Sequence, residues 1–218
     1  MASQTEENYL KAMFTLTNEK GEVNMSDVSN FLKVSKPSAN NMVKNLEKQG
    51  YVNYEKYKPV SLTSKGKKTA ALVIRKHRLT EMYLVEKMGF GWEEVHQIAE
   101  QVEHINSVTF FERMDELLGH PEFDPHGSPI PDKAGNIFHR KKQALSSLPV
   151  GSRGKLIALA HSSEEFLSYL NSRKIKLGSL IEIKAIETYD GSLKVLLNDQ
   201  ELSIFSKKVA ERLLVEIV

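Results

Sequence analysis

Between His77 and Pro131 the chain sets histidines and carboxylates at helical spacings. His77 and Glu81 are four apart, as are His96 and Glu100, and Glu100, Glu103 and His104 repeat the intervals of three and four. On α-helices such pairs share a face. Carboxylate oxygens and imidazole nitrogens gathered this way are the ligands a divalent transition metal takes. A single pair of this kind reads as a solvated, charge-laced helix face; several pairs together with Asp124-Pro125-His126 in one segment favour a ligand set. The chain has no cysteine, which removes thiolate ligands, thiolate nucleophiles and disulfides together and fits a reducing compartment. The remaining donors are hard or borderline, and suit Mn²⁺ or Fe²⁺.

Helices must position these side chains. The segment from about Thr63 to Met88 is expected to form one long helix and that from about Trp92 to Leu118 another, separated by Gly89-Phe90-Gly91. Val108, Phe110, Phe111, Met114, Leu117 and Leu118 supply more apolar surface than one short helix needs, which points to a homodimer. His120 to Asn136 is rich in Pro, Gly and Asp and reads as a linker.

Ahead of this block, residues 5–20 carry a helical apolar stripe, and Ser26 opens a short second helix. The next helix is the best delimited. Ser35 can serve as its N-cap, Pro37 falls in the first turn, and Gly50 follows as a stop. Ala39, Met42, Val43 and Leu46 form a buried stripe, while Pro37, Asn41, Lys44 and Lys48 lie opposite. Two β-prone runs, Tyr51 to Tyr54 and Val60 to Thr63, then read as a hairpin. Three helices and a hairpin make a winged helix-turn-helix. Its second motif helix would lie in the major groove of double-stranded DNA with Ser35, Lys36, Pro37, Ser38 and Asn41 near base edges. Asn41 can pair with an adenine edge, and Lys44, Lys48 and the wing residues Lys56 and Lys58 are placed for phosphates.

After Leu148 the pattern changes to short strands (154–160, 180–186, 193–197, 202–205 and 209–217) around one helical segment near 164–170, the mark of a small β-barrel. The expected class is mainly α with a smaller β part, divided into a winged helix-turn-helix at 1–68, a helical metal-binding and dimerisation domain at 69–140 and an SH3-like barrel at 148–218. With 218 residues, 27% charged, and a net charge of only +2, any DNA-binding surface must be local. Neither a basic-then-apolar leader nor a long uncharged apolar run is present, so the expectation is a cytoplasmic protein without a membrane partner.

The motifs TEENYLKAMF, VSKPSANNMVKNLEKQGYV, LTSKGKKTA, RKHRLTEMYL, WEEVHQIAEQVEHINS and DPHGSPIP together resemble the diphtheria-toxin-repressor family of metal-dependent transcriptional repressors, including its manganese-sensing branch. The likeness spans nearly the whole chain and implies the same three parts. It further implies a primary regulatory site at Glu100, Glu103 and His104 with Asn8 from the first helix. An ancillary site would use His77, Glu81 and His96, and Asp124 and His126 would be further ligands. The chain departs from the family at Asn8, where iron sensors carry methionine and manganese sensors usually aspartate, at Glu100, where iron sensors carry cysteine, and at Lys11, where some relatives have a carboxylate. The functional expectation is a repressor with Mn²⁺, or alternatively Fe²⁺, as corepressor. Two rivals remain open at this point: a metal-dependent hydrolase, though no HExxH motif or nucleophile elbow is present, and a winged-helix DNA-binding protein that ignores metal.

Overall fold

Ser3 and Glu6 start the first helix reciprocally. In the computed structural model, which describes residues 2–138 and 140–218, the Ser3 side chain accepts from the Glu6 amide and the Glu6 carboxylate accepts from the Ser3 amide, a capping box on α1 (Gln4–Leu16). The same carboxylate accepts from Asn45 Nδ2 at 2.8 Å and Gln49 Nε2 at 2.5 Å, both on or just after α3 (Lys36–Lys48). One buried side chain thus caps α1 and docks it on the C-terminal end of α3. These hydrogen bonds, led by the Ser3 amide and opposed by burial, hold the Glu6 carboxyl below its ordinary value of 4.5.

Glu6→Ala is therefore expected to cost about 2 kcal/mol, typical of losing hydrogen bonds to a charged group. A depressed folded value means the contribution is present above the unfolded pKa and lost as pH falls through the folded one. Denaturant unfolding at pH 7 and pH 3 checks this: the gap between variant and parent should close at pH 3.

The rest of the N-terminal part follows from the same local chemistry. Strand β1 (Glu22–Val23), α2 (Met25–Phe31), α3, β2 (Val52–Asn53) and β3 (Val60–Leu62) give a three-stranded antiparallel sheet of order β1-β3-β2 beside the helices. Helix α3 has Ser35 as N-cap, accepting from the Ser38 amide, and Pro37 in its first turn. Ala39, Val43 and Leu46 join Leu10, Met13, Val28, Val60 and Leu62 in one core. Gly66, early in α4 (Ser64–Met88), lies so close to β2 that an added Cβ would stand 2.0 Å from the Tyr51 carbonyl oxygen. The winged helix-turn-helix is thus present, with a third wing strand, β1, that two residues of sequence could not announce.

The second expected long helix is two helices, α5 (Val95–Val102) and α6 (Val108–Leu117). The break falls at Glu103–Ser107 because Lys76 Nζ donates to the Glu103 carbonyl at 2.8 Å and Ser107 caps α6 by accepting from the Phe110 amide. Arg75 of α4 binds Asp115 of α6 at 2.8 Å and the Pro131 carbonyl at 2.7 Å. Of the apolar α6 residues, Phe111 and Met114 turn inward, whereas Val108, Phe110 and Leu117 stay exposed beside Ile105.

By contact the chain divides into two units: Met1–Thr80, Gln97–Glu122 and Ile130–Phe138 form the first, and Glu81–His96, Phe123–Pro129 and His139–Val218 the second. The second contains a six-stranded antiparallel sheet of order β4-β9-β5-β6-β7-β8. Its strands are β4 (Gln143–Ala144), β5 (Arg153–Leu159), β6 (Leu180–Ile186), β7 (Leu193–Leu197), β8 (Glu201–Phe205) and β9 (Leu213–Ile217). Alternating residues such as Leu156, Ile181, Ile183, Leu193 and Val195 fill its core with Phe166, Leu167 and Leu170 of α7 (Glu164–Ser172). The expected strand at 209–217 starts only at Leu213, because Ser206 accepts from the Val209 amide and caps a short α8 (Lys207–Arg212). No helix among the described residues is long and apolar enough to cross a membrane.

Candidate metal centre

Each unit holds a cluster of ionisable side chains. In the second unit, Glu81 lies near the C-terminal half of α4 and is only 2% exposed. Its Oε1 is 3.2 Å from His96 Nδ1 and its Oε2 3.8 Å from His126 Nδ1. Glu81, Asp124 and His126 are all buried, and one ligand atom of each lies within 4.8 Å of the others.

The loop that delivers Asp124 and His126 is not a solvated linker. Asp124 Oδ1 accepts from the amides of His126 at 2.9 Å and Ser128 at 2.8 Å, folding Asp-Pro-His-Gly into a tight turn. Gly127 has φ +80°, and a Cβ there would meet the Ile157 carbonyl oxygen at 2.1 Å. The Leu159 amide donates to the His126 carbonyl at 3.0 Å, pinning the turn to β5. The Pro, Gly and Asp residues that suggest a linker are what such a turn requires.

His126 stacks on Trp92 with ring centroids 6.0 Å apart, and its Nε2–H donates to the Trp92 carbonyl at 2.9 Å. A carbonyl can only accept, so in the neutral ring the lone pair sits on Nδ1, the atom facing Glu81. Burial pushes the imidazole pKa down, but the Glu81 hydrogen bond, the charges of Glu81 and Asp124 and the Trp92 carbonyl outweigh it and hold His126 above its ordinary value of 6.5. Two buried carboxylates and an oriented imidazole favour positive charge, and this donor set fits Mn²⁺ or Fe²⁺. His96, exposed over 60% of its side chain, forms the solvent edge of the cluster.

The first unit holds the second cluster. Glu103 and His104 lie in the turn just past α5, and Glu103 is 1% exposed. His77 Nδ1 donates to Glu103 Oε2 at 2.5 Å. Lys11 Nζ donates to both Glu103 oxygens, at 2.7 and 2.9 Å, and lies 3.3 Å from His77 Nδ1. His104 Nδ1 lies 2.6 Å from Glu7 Oε2 and its Nε2 3.6 Å from Glu103 Oε1. Burial raises the Glu103 carboxyl, but the His77 hydrogen bond and the Lys11 charge outweigh it, so it stays below 4.5.

The sequence-derived residues are therefore distributed as follows. Glu81, His96, Asp124 and His126 come together in one unit, while His77, Glu103 and His104 come together in the other. Glu100 is exposed on α5 and Asn8 half-buried on α1. The α1 carboxylate that meets His104 is Glu7, which the sequence reading did not single out; its spacing of four from Lys11 was the available signal.

On the nucleic-acid side, Ser35, Lys36, Pro37, Ser38, Asn41, Lys44 and Lys48 are all exposed along α3, and Lys56 and Lys58 are exposed on the β2–β3 connection. Lys58 pairs with Glu55 at 2.9 Å across solvent. Lys65 is used structurally: it donates to the Gln49 carbonyl at 2.8 Å and lies over the Tyr51 ring.

Comparison with known proteins agrees with the winged helix and with a metal-binding helical part. Residues 1–60 match the N-terminal DNA binding domain of iron dependent repressors, residues 63–132 their metal binding and dimerisation domain, and residues 143–217 the FeoA domain. The iron-dependent repressor IdeR of Mycobacterium leprae (strain TN) is 35% identical over 155 residues, 68% of this chain and 67% of that protein. The HTH-type transcriptional regulator MntR of Bacillus subtilis (strain 168) is 34% identical over 124 residues, 57% of this chain and 87% of that one. A solved manganese-dependent transcriptional repressor in complex with manganese superposes with a TM-score of 0.90 at 29% identity, covering 97% of this chain and 99% of its own. A structure of ScaR with bound Cd²⁺ follows at a TM-score of 0.81 and 27% identity, covering 98% and 99%. With its winged helix, its buried carboxylate–imidazole clusters and these matches over both halves of the helical region, the chain belongs to the diphtheria-toxin-repressor family of metal-dependent transcriptional repressors.

Proposed function

We propose that this chain is a cytoplasmic, homodimeric repressor whose affinity for operator DNA is set by Mn²⁺, or Fe²⁺, held by Glu81, Asp124 and His126 with His96 at the edge. The observation that carries the reading is the buried Glu81–Asp124–His126 set, whose His126 ring is oriented by the Trp92 carbonyl so that Nδ1 faces the carboxylates. Bound there, the ion would supply positive charge beside two buried carboxylates. The protein's own contribution is to preorganise the ligands: the Asp124–Ser128 turn sets two of them, and α4 sets the third. Glu81 lies one helical turn beyond His77 on α4. The working division is a DNA-reading part at 1–68, a metal-binding and dimerising part at 69–140 and an SH3-like part at 148–218.

For dimerisation the support is the exposed group Val108, Phe110 and Leu117 with Ile105. Apolar side chains exposed together on one helix favour burial against a second copy. For DNA the support is the exposed polar face of α3 with the wing lysines. Asn41→Ala is expected to relax base discrimination at about one position per half-site, at roughly 1–3 kcal/mol, whereas Lys44→Ala should weaken all sequences alike. Anisotropy titrations on operator and random duplex separate the two; equal losses on both duplexes for Asn41→Ala would reject the reading-helix assignment.

The function is tested by selecting genomic fragments on the purified protein with Mn²⁺ or with chelator. A discrete, palindromic site enriched only with the metal is the expected outcome. Enrichment of the same site under chelator would instead favour a metal-independent DNA-binding protein.

A further inference from the structure

Lys11 stands where a cation belongs. Around its ammonium gather the two oxygens of buried Glu103, at 2.7 and 2.9 Å, and 3.3 Å away lies His77 Nδ1, whose N–H donates to one of those oxygens. His104 adjoins them, bridging Glu103 and Glu7. Two carboxylates and two imidazoles from α1, α4 and the turn after α5 are the donor chemistry of a divalent-ion site. Yet these four do not close on a common point within 4.8 Å as Glu81, Asp124 and His126 do.

We infer that Lys11 is a resident cation: its ammonium takes the place of a metal ion at the Glu103 carboxylate, beside His77, so this cluster ties α1 to the turn after α5 without metal. The ion-responsive centre is then the one that uses Glu81, with Asp124 and His126, which rests on the function proposed above. The arrangement is built rather than incidental. Lys11 is four residues from Glu7 on one face of α1, so the carboxylate of Glu7 and the ammonium of Lys11 reach His104 and Glu103 side by side. An ammonium satisfies Glu103 with single charge and direct hydrogen bonds, and a divalent ion could enter only by expelling it.

Mn²⁺ bound per protomer, measured by equilibrium dialysis of the full-length protein, tests the inference. The parent is expected to hold one ion, Asp124→Ala none, Lys11→Glu two, and Lys11→Glu with Asp124→Ala one. Because three carboxylates at the cluster could prevent apo folding, Lys11→Met in the Asp124→Ala background provides a second test. Mn²⁺ should raise its melting temperature while leaving Asp124→Ala itself unmoved. A parent ion retained in Asp124→Ala and lost in Glu103→Gln would overturn the inference, as would Lys11 variants that gain no ion. A parent without any ion beside a Lys11→Glu variant holding one would uphold it while rejecting the Glu81 centre.

Discussion

Glu81→Gln should abolish the metal response of operator binding while leaving the protein folded. Glu81 is the residue on which the second-unit cluster converges: its two oxygens face His96 and His126 separately, and it is buried. Replacing one oxygen by an amide nitrogen presents a donor where a cation needs an acceptor, and removes the charge that offsets a divalent ion. The change is isosteric, so neither α4 nor the turn at Asp124 loses packing. If the ion raises operator affinity about five- to a hundred-fold, as coupling of roughly 1–3 kcal/mol does, that whole factor should vanish. Chelator-treated variant and parent should then bind operator alike. Anisotropy titrations with and without Mn²⁺ read this directly, and a variant that responds as the parent does places the centre elsewhere.

Lys11→Met should produce the largest loss of stability. The ammonium is paired with Glu103, whose carboxylate is 1% exposed, and removing it leaves a buried charge beside His77 and, at 3.6 Å, His104. Breaking a fully buried pair costs about 3–5 kcal/mol. Lys11 keeps 20% of its side chain in solvent, so screening lowers the expected cost to about 2–3 kcal/mol. The sign with pH follows from the depressed Glu103 carboxyl. Its contribution is present above the ordinary 4.5 and fades as pH falls through the lower folded value, so the variant's deficit should shrink in acid. Urea unfolding in chelator at pH 7 and at pH 3.5 measures both. An undiminished midpoint at pH 7 would show that Lys11 contributes no net stability.

Local signals made much of this fold legible. Helix α3 carries its own boundaries in Ser35, Pro37 and Gly50, and its apolar stripe is the face that the core buries. The strands of the second unit were legible by alternation at 180–186 and 193–197. Where the reading departed, tertiary contacts decided. Nothing in the apolar pattern from Trp92 to Leu118 marks a break, yet Lys76 draws off the Glu103 carbonyl and Ser107 restarts the helix. Six residues at Lys207–Arg212 are too few for a helical period to stand out against strand-like Val209 and the apolar run that follows.

The site was legible by residue type and less so by partnership. Spacing grouped His77 with Glu81, because residues four apart share a face; what it could not record is that His77 also lies 2.5 Å from Glu103, in a turn distant along the chain. Spacing also grouped Glu100 with Glu103 and His104 on one helix, but α5 ends at Val102 and the latter two occupy a turn. Asp124 and His126 look like loop residues because their geometry depends on amide donors within the turn and on β5, which no periodicity records.

Coupling between metal and operator is reciprocal: if Mn²⁺ tightens operator binding by some factor, operator must tighten Mn²⁺ binding by the same factor. The most direct measurement is therefore the Mn²⁺ affinity of the protein, titrated with and without saturating operator duplex at one salt concentration. The expected result is a five- to hundred-fold gain with operator, matching the gain in DNA affinity and absent with random duplex. An Mn²⁺ affinity unchanged by operator would contradict it.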